Sequence, residues 1–172
     1  KSQDAAGNIT ATQVSLTIDI TPPVITITSP DEGGSFNYSP IEVVYTIEDR
    51  GTTTEKRFWK DLASGPNTIT VTDTDLAGNP GTDEITVTLD QAGPSLAITA
   101  PKAGSLINDQ TPILSYTTDG TITECAIDGV PLDPIPASGD ELSSLAEGPH
   151  TITMKSQDAA GNITATQVSL TI

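Results

Sequence analysis

The fold is indicated by SGPNTITVTDTDLAGN at residues 64–79 and by EGPHTITMKSQDAAGN at residues 147–162, which align at a constant offset of 83 positions (147 − 64). In each stretch apolar side chains occupy alternate positions, as Ile69 and Val71 do in the first. Alternation with a period of two is typical of a β-strand that buries one face. Each alternating run leads into the motif Asp-x-Ala-Gly-Asn, whose composition is typical of a tight turn. Both stretches therefore predict a strand followed by a hairpin turn.

The sequence repeats itself at two scales. Residues 1–18 recur letter for letter as residues 155–172, an offset of 154 positions (155 − 1), so we expect a longer polypeptide with this period. Within the period, DITPPVITITSP from Asp19 matches DQAGPSLAITAP from Asp90 at an offset of 71 (90 − 19). The second copy therefore holds 12 additional residues (83 − 71). The predicted domains are 19–89, which is short, and 90–172, which carries an inserted loop, preceded at 1–18 by the C-terminal strands of another repeat.

Both domains are predicted to be all-β. Thr, Ile, Val and Ser dominate, 13 prolines and 14 glycines interrupt the chain, and no window keeps the apolar spacing of a helix. Alternating apolar residues predict strands at 24–28, 41–48, 68–74, 84–89, 96–99, 113–117 and 151–156. About six or seven short strands in a domain of this length are typical of a two-sheet sandwich. We therefore expect tandem immunoglobulin-like antiparallel β-sandwich domains.

Composition limits the classes of function. Acidic residues outnumber basic ones 23 to 7, for a formal net charge of −16, whereas nucleic-acid binding depends on clusters of Lys and Arg. No stretch approaches the roughly 18 apolar residues of a membrane span. Cys125 is the only cysteine, so an intrachain disulfide cannot stabilise these small domains. Divalent cations, neighbouring repeats or lateral assembly are the expected stabilisers.

The motif Asp-x-Ala-Gly-Asn occurs three times, at 4–8, 75–79 and 158–162, always between the last two predicted strands of a domain. One interpretation is local: glycine takes a positive φ, and the aspartate side chain accepts hydrogen bonds from its own turn. The other interpretation is a calcium site, because Ca²⁺ prefers six to eight oxygen ligands from carboxylates, amides and backbone carbonyls. The sequence leaves both interpretations open.

A complete calcium shell needs a second chain segment, and the domain junctions offer one. Asp19 and Asp90 each follow a final strand and precede an opening strand that contains proline. We expect each turn to share an ion with the aspartate that follows its own final strand. The predicted ligands are Asp4 and Asn8 with Asp19, and Asp75 and Asn79 with Asp90, while Asp73 and Asp83 add charge. Asp158 and Asn162 are expected to form a poorer site, because Ser156 and Thr166 replace that second pair.

A longer pattern identifies a family. The run L-x-x-G-x-N/H-T-I-T-V-x-x-x-D-x-A-G-N at 62–79 and 145–162, with Met154 in place of valine, occurs together with D-x-T-P-P at 19–23. This combination resembles the bacterial immunoglobulin-like repeats of large secreted surface proteins, including giant adhesins and stalk proteins, over essentially the whole chain. The resemblance implies an extracellular, cell-surface extender with calcium held between domains by such aspartates. Gln91-Ala92-Gly93, in place of a Thr-rich linker, and the insertion depart from the family pattern.

Enzyme activity is not expected. His150 is the only histidine and Cys125 the only thiol, and neither lies in a catalytic motif. His150 aligns with Asn67 of the first domain, so we expect it to begin a strand.

The alternative function is a carbohydrate- or surface-binding adhesive module, which needs exposed aromatic residues. Only Tyr38 and Phe58 lack an expected position in or beside a core, whereas Trp59 aligns with Leu142. Lateral self-association into a filament is a further expectation. Its predicted surface is the inserted loop, which the alignment confines to about residues 130–139.

Overall fold

The chain folds as β-structure. A computed structural model describes residues 1–49 and 51–172, which contain sixteen strands and no helix. The strands are β1 (Ser2–Gln3), β2 (Ile9–Thr10), β3 (Val24–Ser29), β4 (Ser35–Phe36), β5 (Ile41–Glu48), β6 (Thr52–Trp59), β7 (Gly65–Thr74), β8 (Pro80–Leu89), β9 (Leu96–Ala100), β10 (Ser105–Leu106), β11 (Ile113–Thr118), β12 (Thr121–Ile127), β13 (Val130–Pro131), β14 (Asp140–Glu141), β15 (Pro149–Gln157) and β16 (Ile163–Thr171). The predicted all-β class is confirmed, and every predicted strand lies within an observed one. In the described part of the chain, no helix is long and apolar enough to cross a membrane.

Strands β3 to β8 form a sandwich, called here the first sandwich. One sheet has the antiparallel order β3-β5-β6. The other has the order β4-β8-β7, in which β4 pairs with β8 in parallel and β7 pairs with it antiparallel. The facing sides of the two sheets bury Ile25, Ile41, Val43, Tyr45, Ile69, Val71, Ile85 and Val87. The alternation that predicted these strands is therefore the alternation between core and solvent.

Strands β9 to β16 form the second sandwich. Its sheets have the orders β14-β11-β9 and β10-β16-β15-β12-β13. Its core consists of Leu114, Cys125, Ile127, Leu142, Leu145, Ile152, Met154, Val168 and Leu170. Ile152, at the position of Ile69 in the first sandwich, has no exposed surface in either place.

The additional residues of the second sandwich form a strand, not only a loop. In the first sandwich, β5 returns directly into β6, with Ile41 opposite Trp59. In the second sandwich, Pro112 and Leu142 match Ile41 and Trp59, and the N–H of Leu142 bonds to the carbonyl of Pro112. Strands β12 and β13 lie between these two residues in the chain. The prediction that the insertion is confined to about residues 130–139 is therefore wrong. The alignment assigned the additional residues to 130–139, whereas the additional strand beside β15 is β12.

The first 18 residues form only part of the structure that the same letters form at 155–172. Strands β1 and β2 pair around the turn at 4–8. Val14 and Leu16 are 85% and 84% exposed, whereas Val168 and Leu170, their counterparts, are buried. The long strand β16 pairs with β15 and β10, whereas in the described residues β1 and β2 pair with each other. Strand formation here depends on the partner strands and not on the letters alone.

Candidate metal site at the Asp-x-Ala-Gly-Asn turns

Each turn is held by its own side chains. Between β7 and β8, Oδ1 of Asp75 accepts hydrogen bonds from two backbone N–H groups of the turn, at 2.8 and 2.9 Å. Its Oδ2 accepts a hydrogen bond from Nδ2 of Asn79, at 2.8 Å. Gly78 has a φ of 94°, a value that favours glycine. The turns at Asp4 and Asp158 repeat the bond from the asparagine amide, at 2.8 and 2.9 Å.

These hydrogen bonds favour the charged form of each aspartate. The asparagine amide is the largest cause that lowers the pKa of Asp4, Asp75 and Asp158 below the ordinary value of 3.8, and backbone N–H groups of the turn lower it further. As the pH falls through the lowered pKa values, the carboxylates are protonated and their contribution to stability is lost. The local interpretation of the motif accounts for this geometry.

Each long hairpin turn is bonded to the start of its own sandwich. Nδ2 of Asn79 donates to the backbone carbonyl of Asp19 (3.2 Å), and Nδ2 of Asn162 donates to that of Asp90 (2.9 Å). The predicted pairing of Asp75 and Asn79 with Asp90 is therefore wrong. The final strand β8 leads away from the turn for ten residues, about 33 Å at 3.3 Å per residue, so Asp90 lies at the other end of the sandwich.

The same geometry reassigns Asp19. It was predicted to lie beside Asp4 and Asn8, but its carbonyl accepts the hydrogen bond from Asn79. The side chains of Asp4 and Asn8 bond to each other at 2.8 Å. We therefore assign Asp19 to the turn at 75–79, because a turn of this topology reaches the segment that enters its own sandwich.

The turn of the second sandwich faces a cavity at the junction. The cavity has a volume of about 390 Å³, and it is lined by Ser35 of the first sandwich and by Asp90, Asp119 and Asp158, among others. Asp90 and Asp158 were predicted as ligands, and Asp119 was not. Oδ1 of Asp119 accepts a hydrogen bond from the N–H of Ser95 at 2.7 Å. Glu48 of the first domain stands at the position that matches Asp119 (119 − 71) and is also acidic, and this match could have identified Asp119.

The two remaining predicted aspartates lie apart from this cavity. Asp83 pairs with Val71 across the β7–β8 ladder, whereas Asp73 pairs with Gly81. Oδ2 of Asp83 accepts a hydrogen bond from the N–H of Ile27 (2.8 Å), which links the two sheets of the first sandwich. Asp83 therefore has a structural contact that sequence reasoning missed, and Asp73 is an exposed residue near the end of β7.

The predicted calcium ligands are arranged as partners in hydrogen-bonded turns and not as a calcium coordination shell. In the described residues, no group of three or more His, Cys, Asp or Glu side chains is placed to hold a metal ion. Both carboxylate oxygens of Asp158 accept hydrogen bonds from Asn162, at 2.9 Å each, and Oδ1 of Asp90 accepts one from Ala92. Calcium stays a prediction. The junction cavity is the place where carboxylates from several segments would have to converge.

His150 is a structural residue near the start of β15. Its Nδ1 lies 2.7 Å from Oδ2 of Asp128, and its Nε2 lies 2.8 Å from the carbonyl oxygen of Ala146. Both partners are acceptors, so the protonated ring can donate to both. The bond to Ala146, followed by the bond to Asp128, raises the pKa of His150 above its ordinary value of 6.5. Cys125 is 1% exposed, and burial raises the pKa of its thiol.

We expect the second sandwich to lose stability as the pH rises above about 6.5 and through the raised pKa of His150. A raised folded-state pKa means that the contribution of His150 is complete below about 6.5 and is lost as the pH rises through the folded value. His150→Asn should remove this dependence, because Asn67 at the matching position already bonds to Ala63. Thermal melts at several pH values measure the effect. If the melting temperatures of the wild type and of His150→Asn depend equally on pH, His150 does not cause the pH dependence.

The aromatic residues divide as predicted between core and surface. Tyr45 is buried, and Trp59 and Phe36 pack against the first core. Tyr38 and Phe58 are 56% and 60% exposed. The adhesive alternative stays a prediction that would depend on these two side chains.

Comparison with known proteins gives matches among solved structures. No model of a protein family matches the chain, and no curated protein matches it. Among solved structures, the chain is similar to the fibronectin(III)-like modules of Clostridium thermocellum CbhA. The TM-score is 0.48 and the sequence identity 18%, over 86% of this chain and 93% of that one.

Proposed function

We propose that the chain is a structural extender of an extracellular bacterial or archaeal surface protein, in which domains at 19–89 and 90–172 act as spacers. The observation that carries the proposal is the junction between the sandwiches. The N–H of Asp90 donates to the carbonyl of Phe36 in the first sandwich (2.8 Å), and the carbonyl of Asp90 accepts from Asn162 in the second (2.9 Å). One peptide segment is thus bonded on both sides.

Further contacts at the junction support restricted bending. Only residues 90–95 separate β8 from β9. Nε2 of Gln91 lies 3.5 Å from the carbonyl oxygen of Asn37. A Cβ atom added to Gly161, in the turn of the second sandwich, would lie 3.6 Å from Nδ2 of Asn37. A short linker with contacts on both sides gives less freedom than a flexible one of the same length.

Calcium is proposed as an additional stiffener at the junction cavity. The net charge of −16 attracts divalent cations, and Asp90, Asp119 and Asp158 line the cavity; these three side chains would have to converge to complete a site. Extracellular modules hold calcium with dissociation constants of about 10⁻⁴ to 10⁻³ M. At 100 times that constant, a site adds about 2.7 kcal/mol to the free energy of unfolding.

We expect Asn162→Leu to loosen the junction, because it removes the donor to the carbonyl of Asp90. Asn79→Leu is the matched control: it removes the same turn chemistry, but its partner is Asp19, away from the junction between the sandwiches. Small-angle X-ray scattering should show a wider distribution of particle lengths for Asn162→Leu only. The loss of one such bond corresponds to about 0.5–1.5 kcal/mol.

The same scattering measurement, with calcium and with a chelator, tests the cation. If calcium binds the cavity, it should lengthen and stiffen the wild-type particle and raise its melting temperature. If calcium has no effect, the proposal of a calcium site is wrong, whereas the proposal of an extender is unaffected. Equal scattering from Asn162→Leu, Asn79→Leu and the wild type would contradict a junction held by Asp90.

A further inference from the structure

The two sandwiches differ at one edge. In the second sandwich, β15 is covered on its outer side by β12, with Cys125 opposite Met154 and Ile127 opposite Ile152. In the first sandwich the matching strand, β7, is the last strand of its sheet. Its residues Ile69 and Val71 stand at the positions of Ile152 and Met154. Among the described residues of the first sandwich, no strand takes the place that β12 has in the second.

The opposite sheet extends beside this edge without a cover. Arg57 and Glu55 of β6 lie opposite Val43 and Tyr45 of β5, so they point to the core side of the sheet. Nevertheless Arg57 and Glu55 are exposed, whereas Val43 and Tyr45 are buried. Exposure on the core side means that no strand of the facing sheet lies over this part of β6. We call the space beside β7 and over β6 the strand slot.

The side chain of Arg57 lies over two aromatic rings beside the slot. The guanidinium carbon of Arg57 lies 5.5 Å from the ring centre of Trp59 and 6.0 Å from that of Tyr45. Such cation–π contacts at exposed positions are weak, and the arginine stem can turn aside. The apolar rings below it are the surface that a buried side chain of an added strand would contact.

The middle of the β7 edge has few of the features that protect edge strands, and Pro66 and the charged Asp73 lie near its two ends. Its outward residues Thr68, Thr70 and Thr72 are exposed and uncharged, and the strand has ten residues. Natural edges are usually blunted by lysine, proline or bulges. In the second sandwich, where the edge is already covered, the position of Thr72 is Lys155, which pairs with Glu124 of β12 at 2.9 Å.

We propose that the strand slot of the first sandwich binds an extended peptide segment of a partner protein, which adds as a strand antiparallel to β7. Alternate residues of this segment are apolar and face the core of the first sandwich. One of the residues between them points outward and lies opposite Thr72. The second sandwich supports this choice, because β12 is the strand that fills the same place there. Main-chain hydrogen bonds to the free edge provide affinity, and the alternating side chains provide selectivity.

The probe is a peptide with the sequence of residues 120–128, GTITECAID, which holds the whole of β12. Trp59, the only tryptophan, contacts Arg57 beside the slot and reports binding by fluorescence. We expect saturable binding to the full chain. A peptide with serine in place of Ile122, Cys125 and Ile127 should not bind.

Two substitutions at one exposed position sharpen the test. Thr72→Lys should bind the peptide about three- to tenfold more tightly than Thr72→Glu, because lysine faces the glutamate of the peptide as Lys155 faces Glu124. Thr153→Glu, on the covered strand β15, is the control and should bind as the wild type does. No peptide binding, or equal affinities for Thr72→Lys and Thr72→Glu, would overturn the proposal. Concentration-dependent self-association that Thr72→Lys abolishes, without peptide binding, would also overturn it, in favour of pairing between two copies.

Discussion

Ile69→Ala is expected to destabilise the first sandwich by about 2–5 kcal/mol, and Ile152→Ala is expected to destabilise the second by a similar amount. The two side chains hold matching positions, 83 residues apart (152 − 69), and both are 0% exposed. They belong to separate hydrophobic clusters. Alanine leaves a cavity that the surrounding close-packed side chains fill only in part, so the loss exceeds the transfer free energy of the missing carbons.

Calorimetry distinguishes whether these clusters unfold separately. Each substitution should lower one melting transition and leave the other in place. Thr70→Ala, at an exposed position next to Ile69, is the control and should change stability by no more than about 0.5 kcal/mol. If either isoleucine substitution lowers every transition equally, the sandwiches unfold as one unit, and the proposal of independent spacers loses its basis.

Gly81→Ala is expected to cost about 1–3 kcal/mol or more in the first sandwich. A Cβ atom at this position of β8 would overlap the backbone carbonyl oxygen of Pro23. A backbone carbonyl cannot turn aside as a side chain can, so β8 and the opening segment would have to separate. The bond between Asn79 and Asp19 lies next to this contact and should weaken with it. Chemical denaturation gives the loss of free energy.

The second sandwich supplies the matched comparison. There the position of Gly81 is Thr164, and the close approach is made by Gly93, whose added Cβ would lie 2.5 Å from Oγ1 of Thr164. Gly93→Ala should cost less than Gly81→Ala, because a hydroxyl can rotate. Adding Thr164→Gly should recover part of the loss. A larger cost for Gly93→Ala than for Gly81→Ala would contradict this account.

These contacts bear on the proposed extender, because they hold the segments that enter each sandwich. Pro23 lies close to Gly81 of the final strand β8, and Gly93 lies close to Thr164 of the final strand β16. A spacer that carries tension has to keep these segments attached, since they are the first parts of each domain to receive it. The hydrogen bonds of Asn79 and Asn162 act on the same segments.

The sequence was sufficient for features that depend on near neighbours. Alternation of apolar residues predicted β7 and β8, because a strand exposes every second side chain to one face. The motif Asp-x-Ala-Gly-Asn predicted the hairpin turn and the acceptor role of Asp75, because both partners lie within four residues of it. The exposure of Tyr38 and Phe58 followed from comparing the two domains position by position.

Features that depend on strand direction, or on neighbours distant in the chain, required the three-dimensional structure. It joined Asn79 to Asp19, because β8 leads away from its turn, and it brought Asp119 to the junction cavity. It also showed that β12 belongs to the sheet of β15, which leaves the matching edge of the first sandwich open. The period of a strand is local information, whereas the choice of the strand beside it depends on burial across the whole sandwich.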